Sequence, residues 1–306
     1  MTCISELRQT DRVTEARNPY RLAAQDLRQR LTRAAAADGL WGYYPGQTSR
    51  IEPTCWALMA LKPADPLSAL QAWQRNDGLL VETNTPVPNY AWNGLALLAL
   101  SASSRVADAI RPRLIEALLK AKGVKLAPGR SNVIRQNNAL QAWSWIDGTF
   151  SWSEPTGWCL LALKKTAGAD AVAKARIAEA EALLLDRMCQ PAGWNYGNAA
   201  VFTQDLRPYV PTTALALLAM QNRTDRPEIT RSLDWLEAHA TDERSAMGLA
   251  LAAICLHVFK RSAEPALTAL VEDEAKTGFL GNAHLTAMAL YALTIPQHDA
   301  AQFRIP

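Results

Sequence analysis

The sequence lacks the features that mark membrane, secreted and disordered proteins. Among its 306 residues, apolar runs such as residues 94–100 fall far short of the roughly 20 apolar residues that cross a bilayer. The first twenty residues contain Glu6, Asp11 and Glu15 and no apolar stretch, so no signal peptide is predicted. Hydrophobic residues make up 49% of the chain and charged residues 20%. This balance excludes a disordered chain and allows a large buried core.

Strong net charge and paired cysteines are missing as well. The formal net charge is +3 and the basic residues are scattered, so nucleic acid is not an expected partner. Five cysteines form an odd count without a Cys-x-x-Cys pair. This pattern is typical of reduced thiols, and we expect a cytoplasmic protein. The sequence excludes a transmembrane protein but leaves a peripheral membrane contact open.

Several common catalytic motifs are also absent. The sequence contains no Gly-rich phosphate loop, no His-Glu-x-x-His and no Gly-x-Ser-x-Gly, so those classes of enzyme are not indicated. No alternating pattern long enough for a useful β-strand occurs either. What the chain has in excess is tryptophan, with ten residues, two to three times the count expected at about 1.3% usage.

The tryptophans lie within an internal repeat. Residues 52–61 and 154–163 match at seven of ten positions in the pattern Glu-Pro-Thr-x-Trp-x-Leu-x-Ala-Leu. Asp-Gly turns precede both copies, so residues 38–41 align with residues 147–150. Weaker copies share only the apolar ending, and they finish at residues 100, 220, 254 and 293. A repeat of this kind predicts a stack of similar structural units.

Each unit predicts a pair of helices, the first polar on one face and the second almost wholly apolar. A helix that is apolar on nearly all sides must be buried on nearly all sides. An open α-solenoid would fit the repeat spacing, but its concave face would carry charges that the apolar helices lack. We therefore predict an all-α fold, an α/α toroid with about six inner helices. The toroid domain spans residues 19–295, between an N-terminal arm (1–18) and a C-terminal tail (296–306).

The Gly-Trp turns and the Thr-x-Trp/Leu-Ala-Leu-x-Ala-Leu pattern resemble the α/α-toroid superfamily. This superfamily includes squalene–hopene cyclases, class II terpene cyclases and the β subunits of protein prenyltransferases. The resemblance spans about residues 19–294. Residues 148–156, 193–197 and 208–213 look like the bacterial prenyltransferase/squalene-oxidase repeat proteins, a group without an established activity. The resemblance implies a ring that encloses a prenyl or other apolar ligand.

Two glutamates align with the proton-donating Asp of the class II cyclases in that superfamily. Class II cyclases protonate their substrate with the middle Asp of an Asp-x-Asp-Asp-Thr-Ala motif, and this position falls on Glu52 or Glu154 when the motif Thr is aligned. The other two acidic positions are not acidic here, so the support for a strong acid is missing. Both glutamates could instead cap helices that have Pro at the first position. Asp205, in a long loop at residues 195–210, is a third candidate proton donor.

The zinc site of protein prenyltransferases is not reproduced. His284 lies one residue before the position of the expected His ligand, and the Asp and Cys ligands are missing from the starts of the preceding inner helices. With these ligands absent, no metal is predicted. No cofactor is expected, and a zinc prenyltransferase is excluded.

Inner helices that run in the same direction place their first turns at one mouth of the ring. Aromatic side chains there would form rigid apolar walls with polar tips, although Trp at helical spacing is equally typical of a core. The candidate substrate-binding residues are Trp56, Tyr90, Trp92, Trp158, Tyr209 and His284.

These observations leave more than one function open. A terpene cyclase-like or prenyltransferase-like protein would hold an apolar, isoprenoid-like molecule in the ring. If it is catalytic, it would use class II acid chemistry, as an isomerase or lyase, from Glu52, Glu154 or Asp205. The alternative is a non-catalytic binder of a lipid, peptide or partner protein on the same fold. An open helical scaffold for protein partners is a third hypothesis.

Overall fold

The computed structural model describes residues 19–62, 67–101, 105–125, 136–202 and 204–306. The N-terminal arm expected at residues 1–18 lies outside these ranges. Helices from the outer and inner positions alternate along the chain. The outer helices are α1 (Pro19–Arg33), α3 (Leu67–Ala72), α5 (Arg105–Lys120), α7 (Ala171–Asp186), α9 (Pro227–His239) and α11 (Glu264–Thr277). The inner helices are α2 (Ile51–Leu61), α4 (Tyr90–Ala99), α6 (Ser153–Ala167), α8 (Val210–Ala219), α10 (Ala246–Val258) and α12 (Ala283–Leu293).

The six inner helices form a closed ring. Each packs against the next in chain order, and the last, α12, packs against the first, α2. The outer helices pack behind them, and α1 also contacts α11 and α12. The predicted α/α toroid is therefore confirmed, and the open solenoid is wrong.

Three short elements complete the described chain. A 3₁₀ turn at Gly278–Gly281 leads into α12, and the four-residue helix α13 (Ile295–His298) follows α12. The strands β1 (Ala200–Val201) and β2 (Gln204–Asp205) pair antiparallel as a small hairpin between α7 and α8. Strands of two residues leave no alternating pattern in a sequence, which is why none was predicted.

Burial follows the apolar pattern that distinguishes the two kinds of helix. Every residue of α8 is buried except Pro211, as its nearly uniform Leu, Ala and Thr composition requires. In α9, by contrast, only Ile229, Ser232, Leu233 and Leu236 are buried, one face of an amphipathic helix. Although the inner helices are apolar, none of the described helices is long and apolar enough to cross a membrane.

A repeated pair of hydrogen bonds joins a tryptophan to an inner helix. The Trp194 backbone N–H donates to Thr213 Oγ1 over 2.9 Å, and the Thr213 hydroxyl donates to the Trp194 carbonyl over 3.1 Å. We call this arrangement the Trp–Thr clasp. Each tryptophan also donates its indole N–H to a carbonyl of an outer helix, as Trp194 does to Leu184 over 2.6 Å. The other two clasps join Trp41 to Thr54 (3.0 and 3.1 Å) and Trp143 to Thr156 (3.4 and 3.4 Å).

The clasps correct the alignment of the first two repeats. The Asp-Gly turns paired Phe150 with Trp41, but Trp143 occupies the equivalent position, and Phe150 is 42% exposed. In the α4 repeat, Asn93 accepts from the Leu80 N–H (2.7 Å) and donates to the Leu80 carbonyl (2.9 Å). An amide replaces the hydroxyl because it too has a donor and an acceptor. The repeat therefore conserves the hydrogen-bonding role and changes the residue type.

Helix α4 lies unusually close to α6. A Cβ atom at Gly94 would come within 2.7 Å of the Cys159 backbone nitrogen and 2.9 Å of the Trp158 carbonyl carbon. Only glycine allows this backbone approach. On α6, the Cys159 thiol donates to the Tyr90 carbonyl over 3.2 Å, which holds the start of α4 in place.

The end of the chain fills the axis of the ring. Phe303 is fully buried, and its ring centre lies 5.6 Å from that of Trp56, 6.4 Å from Trp158 and 5.3 Å from Tyr291. Lys165 donates to the carbonyls of Ala301 and Arg304 over 2.7 and 2.8 Å, which anchors this segment. Within residues 296–306, Ala300 and Phe303 are buried and the other residues are exposed or half-buried.

Candidate functional site

One mouth of the ring contains a small cavity bordered by the first turns of five inner helices. Its polar groups are Glu52 of α2, Glu154 of α6 and His284 of α12. Trp56 and Trp158, each one turn further along its helix, form its apolar wall. The remaining lining residues are Tyr196, Pro211, Thr212, Leu215, Met247, Leu251 and Met288. The cavity measures about 20 Å³, enough for about one water molecule. We call it the central cavity.

Glu52 is held by a tyrosine from the preceding loop. The Tyr43 hydroxyl donates to Glu52 Oε2, and the Ala283 N–H donates to the Tyr43 carbonyl over 2.8 Å, which ties the loop to α12. Burial and the negative charge of Glu52 raise the pKa of Tyr43 above its usual range. Tyr43 therefore stays a neutral hydrogen-bond donor, and Glu52 is the acceptor of that bond.

His284 faces the other oxygen of Glu52. Its Nε2 lies 3.7 Å from Glu52 Oε1, beyond hydrogen-bonding distance, and this buried nitrogen has no hydrogen-bond partner. Burial lowers the pKa of His284, and the charge of Glu52 only partly opposes that shift. A neutral imidazole therefore borders the cavity, with one nitrogen unoccupied.

Glu154 lies in a different environment from Glu52. Burial and then the negative charge of Glu52 raise the pKa of Glu154 to about 7, although a hydrogen bond with the Trp158 side chain lowers it. A carboxyl group with a pKa near 7 holds its proton for much of the time at neutral pH. A buried carboxyl group whose pKa is raised in this way is a typical general acid.

Neither glutamate caps its helix, so that alternative is not supported. The residues before α2 and α6, Arg50 and Trp152, make no side-chain cap hydrogen bond. The first N–H of α2, that of Ile51, donates instead to the buried carboxylate of Glu82 over 2.7 Å. Arg50 pairs with the same carboxylate over 2.6 Å. At α6, the Ser153 N–H donates to a loop carbonyl.

Four of the candidate residues lie away from the central cavity. Tyr90 is buried at the start of α4, and no residue of α4 lines the central cavity. Trp92 is half-buried, with the Arg50 guanidinium 6.0 Å from its ring. Tyr209 packs against Tyr196, with ring centres 5.5 Å apart. Asp205 is exposed on β2. The structure brings together Glu52, Trp56, Glu154, Trp158 and His284.

Residues that the sequence did not indicate also line the cavity or support Glu52. Tyr43 lies in a turn without a distinctive motif, and its role depends on α12, which the chain reaches about 240 residues later. Met247 and Met288 look like ordinary core residues in the sequence. Among the described residues, no group of three or more His, Cys, Asp or Glu side chains is arranged to hold a metal ion.

Two solved structures with a similar fold have titles that name an alpha-amylase and a glucanase. One is described as a novel alpha-amylase from Clostridium perfringens, with a TM-score of 0.65 and 10% identity over 90% of this chain and 98% of that one. Another is the apo structure of a beta-1,3-1,4-glucanase from Paenibacillus sp. X4, with a TM-score of 0.56 and 10% identity over 90% and 91% of the two chains. No family model matches the sequence, and neither does any curated protein. At this identity the likeness establishes a common fold.

These neighbours correct the family and the function expected from the sequence. The resemblance to terpene cyclases and prenyltransferases was wrong, and so was the expected prenyl or other apolar ligand. The Leu, Ala and Trp repeats predict a ring of helix pairs, but they do not predict which reaction a protein with that ring carries out. Phe303 and its aromatic neighbours fill the space between Trp56 and Trp158 inside the ring.

Proposed function

We propose that this protein is a glycoside hydrolase whose reacting groups are Glu154 and Glu52. The observation that carries the proposal is the pair of glutamates on one cavity, with the pKa of Glu154 raised to about 7 by burial and by the charge of Glu52. Most glycosidases use two carboxyl groups, one of which protonates the leaving oxygen. The fold shared with an alpha-amylase and a beta-1,3-1,4-glucanase supports the same class of substrate.

The two carboxyl groups have distinct roles in this proposal. Glu154, protonated in much of the population at neutral pH, donates its proton to the glycosidic oxygen as the bond to the anomeric carbon breaks. Glu52, which accepts the Tyr43 hydroxyl, stabilises the positive charge that develops on the sugar ring. A water molecule then attacks the anomeric carbon and gives its proton to the deprotonated Glu154, which restores the acid. The uncharged His284 adds no competing positive charge beside it.

The substrate must open the site before it reaches the carboxyl groups. Ligand sites usually measure about 300–1,000 Å³, whereas the central cavity measures about 20 Å³. Tyr196 is the part of its wall best placed to move, because its side chain is 48% exposed. We expect its ring to rotate away when a sugar enters, as a lid residue does.

The test is hydrolysis of soluble starch, mixed-linkage β-1,3-1,4-glucan and a panel of small aryl glycosides. Wild type is compared with Glu154→Gln, Glu52→Gln and the control Glu272→Gln, a surface residue paired with Arg244. We expect the two site variants to lose at least about a hundredfold in kcat/KM, typical of a lost general acid or base. The control should retain full activity. Wild-type activity should fall as pH rises through about 7, because Glu154 then loses its proton.

Two outcomes contradict the proposal. One is that wild type releases no sugar or aryl alcohol from any substrate of the panel. The other is that Glu154→Gln cleaves as fast as the control.

The cytoplasmic location, inferred from the unpaired cysteines, stays a prediction. Fractionation of the native cells tests it.

A further inference from the structure

A row of exposed aromatic side chains adjoins the central cavity. We call it the aromatic ledge, and it consists of Phe150, Trp152, Tyr196 and Tyr209. Phe150 is 42% exposed and Tyr196 48% exposed, while Trp152 and Tyr209 are half-buried. Large apolar side chains grouped on a surface usually mark a binding site.

The ledge consists of two pairs of rings, and one of the pairs reaches the cavity. The rings of Phe150 and Trp152 lie 5.1 Å apart, and those of Tyr196 and Tyr209 lie 5.5 Å apart. Gly197 joins the two pairs, because a Cβ atom there would come within 3.0 Å of the Trp152 ring. Tyr196 also lines the central cavity together with Glu154. A molecule on the ledge would therefore extend directly into the site.

The backbone beneath the ledge is held firmly. The Trp152 N–H donates to the Trp143 carbonyl over 3.1 Å, and the Tyr209 N–H donates to the Trp194 carbonyl over 2.9 Å. Both acceptors belong to residues of Trp–Thr clasps. The Ser153 N–H donates to the Tyr196 carbonyl over 2.9 Å. Rings on a fixed backbone lose little conformational entropy when a ligand binds.

The polar groups on the ledge favour a sugar over a purely apolar partner. Tyr196 and Tyr209 each carry a hydroxyl group, and the exposed Arg207 guanidinium lies 5.6 Å from the Tyr209 ring. Pyranose rings present C–H faces that stack on aromatic rings, and hydroxyl edges that accept hydrogen bonds from hydroxyl and guanidinium groups. A surface with flat rings and donors at their margins matches both features.

We infer that the aromatic ledge binds further sugar units of the chain that is cleaved at the central cavity. The substrate is then an oligosaccharide or polysaccharide, and a small glycoside is a poor substrate because it leaves the ledge empty. This inference rests on the proposed glycosidase function and deepens it.

Chain-length dependence tests the inference. We compare kcat/KM on polysaccharide with kcat/KM on a small aryl glycoside for wild type, Phe150→Ala, Tyr209→Ala and the control Val172→Ala. Val172 is 63% exposed and lies on the outer helix α7. Loss of about 1.4 kcal/mol of binding equals a tenfold change, and we expect at least about this loss on polysaccharide for each ledge variant. For Phe150→Ala, activity on the aryl glycoside should stay within about twofold of wild type.

Binding without cleavage separates the ledge from the catalytic proposal. In native gels that contain soluble starch or mixed-linkage glucan, wild type and Glu154→Gln should be retarded by one of the polymers. Phe150→Ala and Tyr209→Ala should migrate freely.

The outcomes of the two experiments separate the two proposals. If the enzyme cleaves glycosides but the ledge variants lose activity equally on long and short substrates, or lose none, the ledge inference is overturned and the glycosidase proposal stands. If the polymers bind at the ledge but no substrate is cleaved, the glycosidase proposal is overturned and the ledge is a carbohydrate-binding surface only. If neither polymer retards wild type, the ledge inference is also overturned.

Discussion

At the scale of single residues, the central cavity surrounds two equivalent glutamates with different neighbours. Glu52 and Glu154 occupy the same position of the same repeat, yet only Glu52 accepts a hydrogen bond from a tyrosine. Glu154 has the Trp158 side chain and the charge of Glu52 as its neighbours. The difference arises from the residues around the repeat, since the repeat itself is nearly identical.

This difference predicts how the stability of the protein changes with pH. The folded protein keeps the Glu154 proton up to about pH 7, whereas a free carboxyl group loses it near 4.5. The folded state therefore binds more protons between these values, and the free energy of unfolding falls as pH rises through this window, by up to about 3 kcal/mol. Glu154→Gln removes the ionisation, so it should match wild type below pH 4.5 and exceed it above pH 7. Urea denaturation at several pH values measures the difference.

Glu272→Gln is the control, because the pKa of Glu272 is shifted in the opposite direction to that of Glu154. The hydrogen bond from Arg244 lowers the pKa of Glu272, so its loss cannot stabilise the protein at high pH. A Glu154→Gln variant whose advantage over wild type does not grow between pH 4.5 and 7 would show that the carboxyl group is not desolvated in the fold.

The sequence predicted about half of the site, and the reason is physical. Trp56, Trp158 and both glutamates were found because they belong to one repeated module, and equivalent positions in a ring of helices face the same mouth. Tyr43 was not predicted because it comes from a loop, whose path depends on contacts between distant segments. Tyr90 belongs to α4, and no residue of that helix lines the cavity, which spacing alone does not reveal.

At the scale of elements, the Trp–Thr clasp attaches each of three loops to the inner ring. The threonine hydroxyl is both donor and acceptor for one tryptophan backbone, so it satisfies two polar groups that would otherwise be buried without partners. The sequence predicted the threonines as part of the repeat but not their partner at Trp143, because the Asp-Gly turn follows that tryptophan in one repeat and precedes its equivalent in another.

Removing one clasp should cost a measurable amount of stability. Thr213→Val keeps the side-chain shape and leaves the Trp194 N–H and carbonyl unpaired, which should destabilise the protein by about 1–3 kcal/mol. Thr156→Val should cost less, since its two bonds are longer, at 3.4 Å. The matched control is Thr166→Val on α6, whose hydroxyl donates only to the Ala162 carbonyl of its own helix. Chemical denaturation compares the three, and equal losses at all three sites would contradict the role of the clasp.

At the scale of the whole molecule, the chain closes its ring and then fills the centre with its own end. Phe303 stacks on Trp56 and contacts Trp158, the two tryptophans that form the wall of the central cavity. The ring of six inner helices was predictable, because their composition requires burial on all sides. The position of Phe303 was not, because a single aromatic residue near a terminus carries no periodic signal.

Phe303→Ala should therefore destabilise the whole protein. The loss of a buried phenylalanine usually costs about 3–5 kcal/mol, and the emission of Trp56 and Trp158 should shift as the axis opens. The matched control is Phe202→Ala, because Phe202 is 68% exposed, and it should leave the melting temperature nearly unchanged. Thermal denaturation followed by tryptophan fluorescence measures both. A Phe303→Ala variant as stable as the control would mean that the chain end does not support the ring.

The contact between α12 and α2 gives this repeat protein an unusual folding problem. In an open array each unit touches only its neighbours, so the ends can fray and folding can spread from any point. Here the first and last inner helices must meet across more than 200 residues, and such distant contacts form slowly because a long loop must close first. Once formed, they leave no free end from which unwinding can start. The ring should therefore assemble late and come apart as a single cooperative unit.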